Sequence, residues 1–288
     1  MTRKYVNEIQ NAASLFREFG VRGGLKRRAA VREKVERKRR EDYRRPLSFA
    51  PESEQNWSAR RINTLYQAMD FAQAYLEVGL FTGMTFQDVQ LPTRVGVDPA
   101  PKFSLADLPK GVSVHAVTSD EYFAANPDAN FDLVFLDGLH TFRQTYTDLI
   151  NALCTCPDGP ILIDDTVPSD EVSAIPDQEE SRRERSRRGW SGFPWHGDVF
   201  KVILCVHDAH PELSVRTIDD GSGNPQSVVW RSDMDVLPQA VGESVLAQYD
   251  DVQFSEVFKD GTPLAFAACD EAAAIAAVLL DVAPRFAR

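Results

Sequence analysis

Four residues in one stretch could act together: Asp137 and His140 in Asp-Gly-Leu-His, and the adjacent Asp164 and Asp165. An imidazole beside a carboxylate is suited to taking a proton from a hydroxyl. Three carboxylates at one place suit a hard, oxygen-seeking cation such as Mg²⁺. Without a cation they repel and raise one another's pKa. The alternative is plain: one acid of the pair caps the next segment, and His140 bonds backbone at a helix start. The decision lies with the elements around them. Leu133 to Leu136 is an unbroken apolar run, the pattern of a parallel strand covered on both faces. Asp137-Gly138 ends it. Phe142, Tyr146, Leu149, Ile150 and Leu153 then recur at helical spacing, and Pro157 to Pro160 forms a turn. Ile161 to Ile163 is the next strand, with Asp164-Asp165 at its carboxyl end. This is a βαβ unit, and ligands of open α/β sheets bind outside the carboxyl ends of the strands. Asp137, His140, Asp164 and Asp165 are therefore expected at one edge of the sheet.

At 288 residues and 43% apolar, the chain can hold one large α/β domain with an appendage. No run approaches the length of a membrane span, and the N-terminus has no signal-peptide core, so a cytoplasmic protein is expected. Cys154, Cys156, Cys205 and Cys269 form no CxxC pair and read as free thiols. Charge is uneven. Residues 22–45 hold twelve Lys/Arg against four acids, while the whole chain carries −11. A basic arm thus precedes a strongly acidic body. The arm reads either as an anionic-surface contact or as a solvated helix packing on the body or on a second copy, giving a homo-oligomer. No aromatics interleave with its arginines, as single-strand stacking would favour.

Along the chain, residues 1–57 read as a basic helical arm and linker. Ser58 to Phe71 reads as a helix. Ala74 to Gly83 is a strand running into a glycine turn, followed by a helix from Met84 to Val89. Arg94 to Val97 and Val112 to Val117 are two more strands. Residues 166–197 are rich in charge, Pro, Gly and Trp with no sustained period, which marks a functional lid or disorder. Asp198 to Ala209 resumes as a helix. Leu213 to Ile218 and Ser227 to Trp230 read as the antiparallel closing pair of a mixed sheet, and residues 236–288 as a helical extension. The body, 58–235, is then a Rossmann-like, doubly wound, seven-stranded α/β sheet.

Strand, glycine turn, helix, strand and then Asp98 is a nucleotide-binding beginning. A carboxylate at that position can accept both ribose hydroxyls. A dinucleotide fingerprint wants G-x-G-x-x-G, but Phe81 stands where the second glycine would meet a pyrophosphate. S-adenosylmethionine has no pyrophosphate and tolerates that loss.

The strings YLEVGLFTG, VGVDP, FDLVFLDGLHTFRQTYTDL and GPILIDDTVP resemble a class I S-adenosylmethionine-dependent methyltransferase. They are most similar to methyltransferase family 24, in the small-molecule and sugar O-methyltransferase branch. The likeness covers about residues 60–232. It implies that Glu77, Gly79 and Gly83 surround the methionine part of the cofactor and that Asp98 holds the ribose. Ser119 and Asp120 would lie near the adenine, and Asp137 would face the transfer centre. It implies magnesium on Asp137, Asp164 and Asp165 in metal-dependent members, and His140 as base in others. Phe81 departs from the ExGxG of many members. His196, beside Trp195, is a second candidate for the base.

The expected reaction is O-methylation of a hydroxyl on a sugar, glycan or natural product. N- or C-methylation on the same scaffold stays open, as does RNA methylation anchored by the basic arm. Against the last, an acidic body makes a poor phosphate-binding surface, so a small-molecule or glycan acceptor is preferred to nucleic acid. A nicotinamide oxidoreductase is disfavoured by Phe81.

Overall fold

The run Leu133–Leu136 shows no alternation because neither of its faces meets water. In the computed structural model all four side chains are buried, as are the three of Ile161–Ile163. The structure describes residues 56–69, 71–106, 108–221 and 225–286. The basic arm, and any oligomer built through it, lie outside them.

The strands are β1 (Ala74–Val78), β2 (Thr93–Val97), β3 (Val112–His115), β4 (Leu133–Leu136), β5 (Ile161–Ile163), β6 (Leu213–Ile218) and β7 (Gln226–Arg231). They form one sheet in the order β3-β2-β1-β4-β5-β7-β6. β1 to β5 pair parallel, and β7 runs antiparallel between β5 and β6. The seven-stranded mixed sheet read from the sequence is therefore present. The register matters most for the site. Val78 pairs with Val97 and with Leu136, and Leu136 pairs with Ile163. The next residues, Gly79, Asp98, Asp137 and Asp164, consequently stand level along one sheet edge. β1 has β2 on one side and β4 on the other, so the chain winds away in both directions from this point and leaves a crevice there.

Both faces are covered. Leu76, Val78, Val134, Leu136, Ile161 and Ile163 meet α3 (Ser119–Ala125), α4 (Phe142–Thr155) and α6 (Phe200–Ala209). Tyr75, Leu133, Phe135 and Leu162 meet α1 (Trp57–Ala68), α2 (Met84–Asp88) and α9 (Glu271–Val282). The C-terminal helix α9 thus completes the core of the second face. The segment before it is tied to β6, where the Cys269 amide donates to Thr217 O at 2.9 Å and the Asp219 amide to Cys269 O at 3.1 Å. Cys154, Cys156 and Cys205 are free thiols. No helix among the described residues is long and apolar enough to cross a membrane.

Three helices had no apolar stripe to announce them. α3 is announced instead by a capping box: Thr118 Oγ1 accepts from the Glu121 amide, and Glu121 accepts from the Thr118 amide. α7 (Glu243–Asp250), followed by the single turn α8 (Phe254–Val257), buries only Tyr249, whose hydroxyl donates to Asp208 Oδ2 on α6 at 3.1 Å. The third lies inside the segment 166–197, which is not without secondary structure: α5 (Gln178–Arg187) crosses it. This helix is almost wholly polar and is held by charge. Asp177 caps it, Arg185 pairs with Asp170 at 2.6 Å, and Glu184 meets Arg187 and Arg188. A helix supported by ion pairs and a cap leaves no 3.6-residue hydrophobic signal.

Candidate active site

The first loop is built by close approach. Gly79 has φ +88°, and a Cβ on it would stand 1.8 Å from the Asp137 carbonyl oxygen. Only glycine lets the β1 turn lie against the end of β4. Gly83, at φ +75°, starts α2. Phe81 sits at φ +44°, a left-handed conformation that a side chain disfavours. Asp98 holds it there: its Oδ2 accepts from the Leu80 and Phe81 amides at 2.9 and 2.8 Å, and its Oδ1 from Ala100 at 2.7 Å. Asp98 therefore shapes the loop as well as facing the crevice. Replacing it with alanine leaves three backbone donors without their partner, at about 1–3 kcal/mol for each that stays buried. Asp98→Ala is expected to weaken binding of S-adenosylhomocysteine by at least about tenfold and to lower the melting temperature as well. Calorimetric titration beside thermal unfolding checks this, and wild-type affinity in the variant would remove Asp98 from the site.

A pocket of about 710 Å³ opens along this edge. That is the size of a site for a nucleoside-sized ligand with room beside it. Gly79 and Asp98 line one part, Ser119 and Asp120 a second, and Asp137, His140, Phe193 and Trp195 a third. Glu77 and Gly83 do not line it. Glu77 is buried, and its Oε2 accepts from Tyr75 Oη at 2.6 Å. Burial raises the Glu77 carboxyl well above the usual range, with the Tyr75 hydrogen bond opposing. Two residues that the sequence did not single out do line the pocket, Gln144 and Asp148 on α4. Their i, i+4 spacing among the apolar positions of that helix was the available signal. Burial raises the Asp148 carboxyl to about 6.

The third part of the pocket is the histidine turn after β4. His140 Nδ1 lies 2.6 Å from Asp165 Oδ2, and its Nε2 lies 3.5 Å from Asp137 Oδ1. Asp165 reaches this position from a left-handed backbone, φ +58°. The segment Trp195-His196-Gly197-Asp198 buttresses the turn from outside. The Trp195 ring stacks on the imidazole with centroids 4.6 Å apart and planes 8° from parallel. Trp195 is itself fixed by its Nε1 donating to Ile175 O at 2.9 Å. Asp198 Oδ1 accepts from the Phe142 amide at 2.6 Å and so caps α4. Gly197, at φ +60°, packs so closely that a Cβ there would stand 1.7 Å from the His140 carbonyl oxygen. The tryptophan and histidine of the expected lid thus hold the histidine turn. His196 stays behind it, with Nε2 3.7 Å from Asp165 Oδ1 and outside the pocket lining.

Burial alone would lower the His140 pKa, but Asp137 and Asp165 outweigh it and raise the imidazole to about 10. A raised histidine stabilises the fold below its unfolded pKa, near 6.5, and that contribution fades as pH rises through about 10. Burial lowers His196 instead, so the two imidazoles differ in charge at neutral pH. Asp137 is raised by burial, with the His140 contact opposing. Asp164 is raised well above the usual range by burial and then by Asp165 and Asp137.

The expected acidic trio is only partly assembled. The tight group is Asp137, His140 and Asp165, whose possible ligand atoms lie within 4.8 Å of one another. Asp164 turns aside: its Oδ1 accepts from the Asp165 amide at 2.9 Å, and its Oδ2 is 3.5 Å from Ser58 Oγ on α1. All four residues nevertheless share a cavity of about 10 Å³, room for one water or one ion. Two carboxylates and an imidazole are acceptable donors for a divalent cation, so the residues fit one.

A family model described as "Methyltransferase domain", that of methyltransferase family 24, matches residues 54–166. The match spans β1 to β5 and every residue of the crevice edge. Residues 54–166 thus carry a methyltransferase domain. This methyltransferase is similar to an O-methyltransferase from Bacillus cereus solved with SAH, at 16% identity and a TM-score of 0.43, over 69% of this chain and 90% of that one. It is also similar to the O-methyltransferase TomG of Streptomyces achromogenes, involved in tomaymycin synthesis and solved with SAM, at 14% identity and a TM-score of 0.40, over 70% and 89% of the two chains. A third is a putative caffeoyl-CoA O-methyltransferase from Staphylococcus aureus, at 13% identity and a TM-score of 0.40, over 69% and 91%. No curated protein sequence matches the methyltransferase.

Proposed function

We propose that the methyltransferase acts on a hydroxyl of a sugar, glycan or natural product, with His140 as general base. The observation that carries this reading is the Asp165–His140 pair. Asp165 meets Nδ1, and Nε2 is turned toward Asp137 on the pocket side. A carboxylate on one ring nitrogen fixes the tautomer and orientation of the other. The cradle around Gly79, the Asp98 carboxylate and the Ser119–Asp120 end fit S-adenosylmethionine, which supplies a sulfonium methyl when bound. A hydroxyl is a poor nucleophile at neutral pH until its proton is taken. His140 Nε2 accepts that proton, and Asp165 with Asp137 stabilise the imidazolium that results. Trp195 keeps the ring in plane and screens it from water.

Asp137 and Asp165, with Asp164 in the same small cavity, would hold a divalent cation, Mg²⁺ among the candidates, and such an ion lowers the pKa of a hydroxyl bound to it while His140 stays off the ion to take the proton. Because the same carboxylates hold the His140 proton, a cation there would also weaken that hold and return the imidazole to its neutral form.

The test is release of S-adenosylhomocysteine with a panel of glycosyl, phenolic and amine acceptors, each product analysed by mass spectrometry and NMR. O-methylated products are expected. Products methylated solely at nitrogen or carbon would sink the hydroxyl reading. Assays in EDTA and after Mg²⁺ addition decide the cation: loss and recovery of turnover are expected if it takes part, and full turnover in EDTA removes it.

A further inference from the structure

Three large apolar side chains at the pocket are left in water by the fold. Phe81, Leu139 and Phe193 line it, at 68%, 60% and 78% exposure. None of them packs into the core on either face of the sheet. Phe193 follows Gly189 and Gly192, both at positive φ; a Cβ on the first would meet nothing within 4 Å, and on the second only Pro194. These glycines are unpacked where Gly197 is tightly packed, so the fold places the Phe193 ring without burying it. Exposed apolar side chains that converge on one pocket mark a ligand contact.

The lining narrows the ligand. Asp98, Asp120, Asp137 and Asp148 line the pocket, and no lysine or arginine among the described residues does. An anionic group leaving water there would meet carboxylates and no cation. A sugar is matched no better beside the histidine turn. Leu139 and Phe193 carry no polar side-chain atom, and the Nε1–H of Trp195 is taken by Ile175 O at 2.9 Å. Sugar hydroxyls set against these three side chains would lose water without gaining a partner.

We propose that Phe193, with Leu139 and Trp195, forms an acceptor cleft beside His140 that selects an uncharged aromatic hydroxyl compound, a phenol bearing neither carboxylate nor phosphate. The aromatic face of the acceptor covers the Phe193 ring and takes it out of water, while its hydroxyl reaches His140. The inference rests on hydroxyl methylation being the reaction.

The experiment titrates the full chain, saturated with S-adenosylhomocysteine, with para-propylphenol, para-hydroxyphenylpropanoate and methyl glucoside in a calorimeter. The phenol should bind at least about tenfold more tightly than either of the others. Phe193→Ala should weaken phenol binding by about tenfold, and Phe193→Trp should retain it. Phe193→Arg supplies a cation and should turn the preference toward the propanoate. Because the ring is exposed, its replacement opens no cavity and the variants keep their fold. Absent phenol binding, equal affinity for phenol and propanoate, tighter binding of the glucoside, or full phenol affinity in Phe193→Ala overturns the proposal and leaves hydroxyl methylation standing. Phenol binding as expected, beside products methylated solely at nitrogen, would instead overturn the hydroxyl reading on which the inference stands.

Discussion

His140→Ala is expected to lower turnover by about 10²–10⁴, the usual share of a positioned general base. Affinity for S-adenosylhomocysteine should be unchanged on the proposed reading, in which His140, held by Asp165 and Trp195, serves the acceptor and not the nucleoside. The pH dependence carries the sharper content. With the imidazole raised to about 10, most molecules hold it protonated at neutral pH. A base must be neutral to accept a proton, so turnover should climb with pH toward that value. Asp165→Asn removes a carboxylate that favours the imidazolium. The His140 pKa falls, and the rising limb should move to lower pH. Single-turnover rates across the pH range for wild type and both variants decide it. A flat profile with full His140→Ala activity would remove His140 as the base.

Gly197→Ala should be nearly as damaging, although the residue touches no ligand. A Cβ at 1.7 Å from the His140 carbonyl oxygen cannot be accommodated, and φ +60° disfavours any side chain. Either the histidine turn or the buttress must move. Displacing a catalytic group by about 1 Å can cost about 10²-fold in rate. Turnover should drop by that order while cofactor affinity persists, since Gly79, Asp98 and Asp120 belong to other segments of the chain. Loss of S-adenosylhomocysteine binding together with activity would show that the buttress supports the whole pocket and not the histidine turn alone.

The sheet was legible because buried parallel strands are short apolar runs and cannot be otherwise. Leu133–Leu136 and Ile161–Ile163 have water on neither side, so their sequence carries no alternation. The helix from Phe142 was legible through its stripe, and the carboxyl-edge acids through their place one residue past each strand. α5 was not, because its support is ionic: Arg185 on Asp170, Glu184 on Arg187 and Arg188. Gln144 and Asp148 were passed over because polar residues inside an amphipathic helix read as its solvent face until a pocket is found on that side.

By itself the sequence determined the strand order's raw material, the glycine turn that admits a ligand, and the row Gly79, Asp98, Asp137, Asp164 at the strand ends. These follow from local rules, period and chain reversal, which act over a few residues. Tertiary structure alone decided which of the gathered groups touch. Asp165, and not Asp164, meets His140, since a left-handed residue turns the second acid inward while α1 engages the first. The Trp195–Asp198 segment closes on the histidine turn from far along the chain. Contacts of that kind depend on side-chain direction at a resolution of about one ångström, and no residue spacing encodes that.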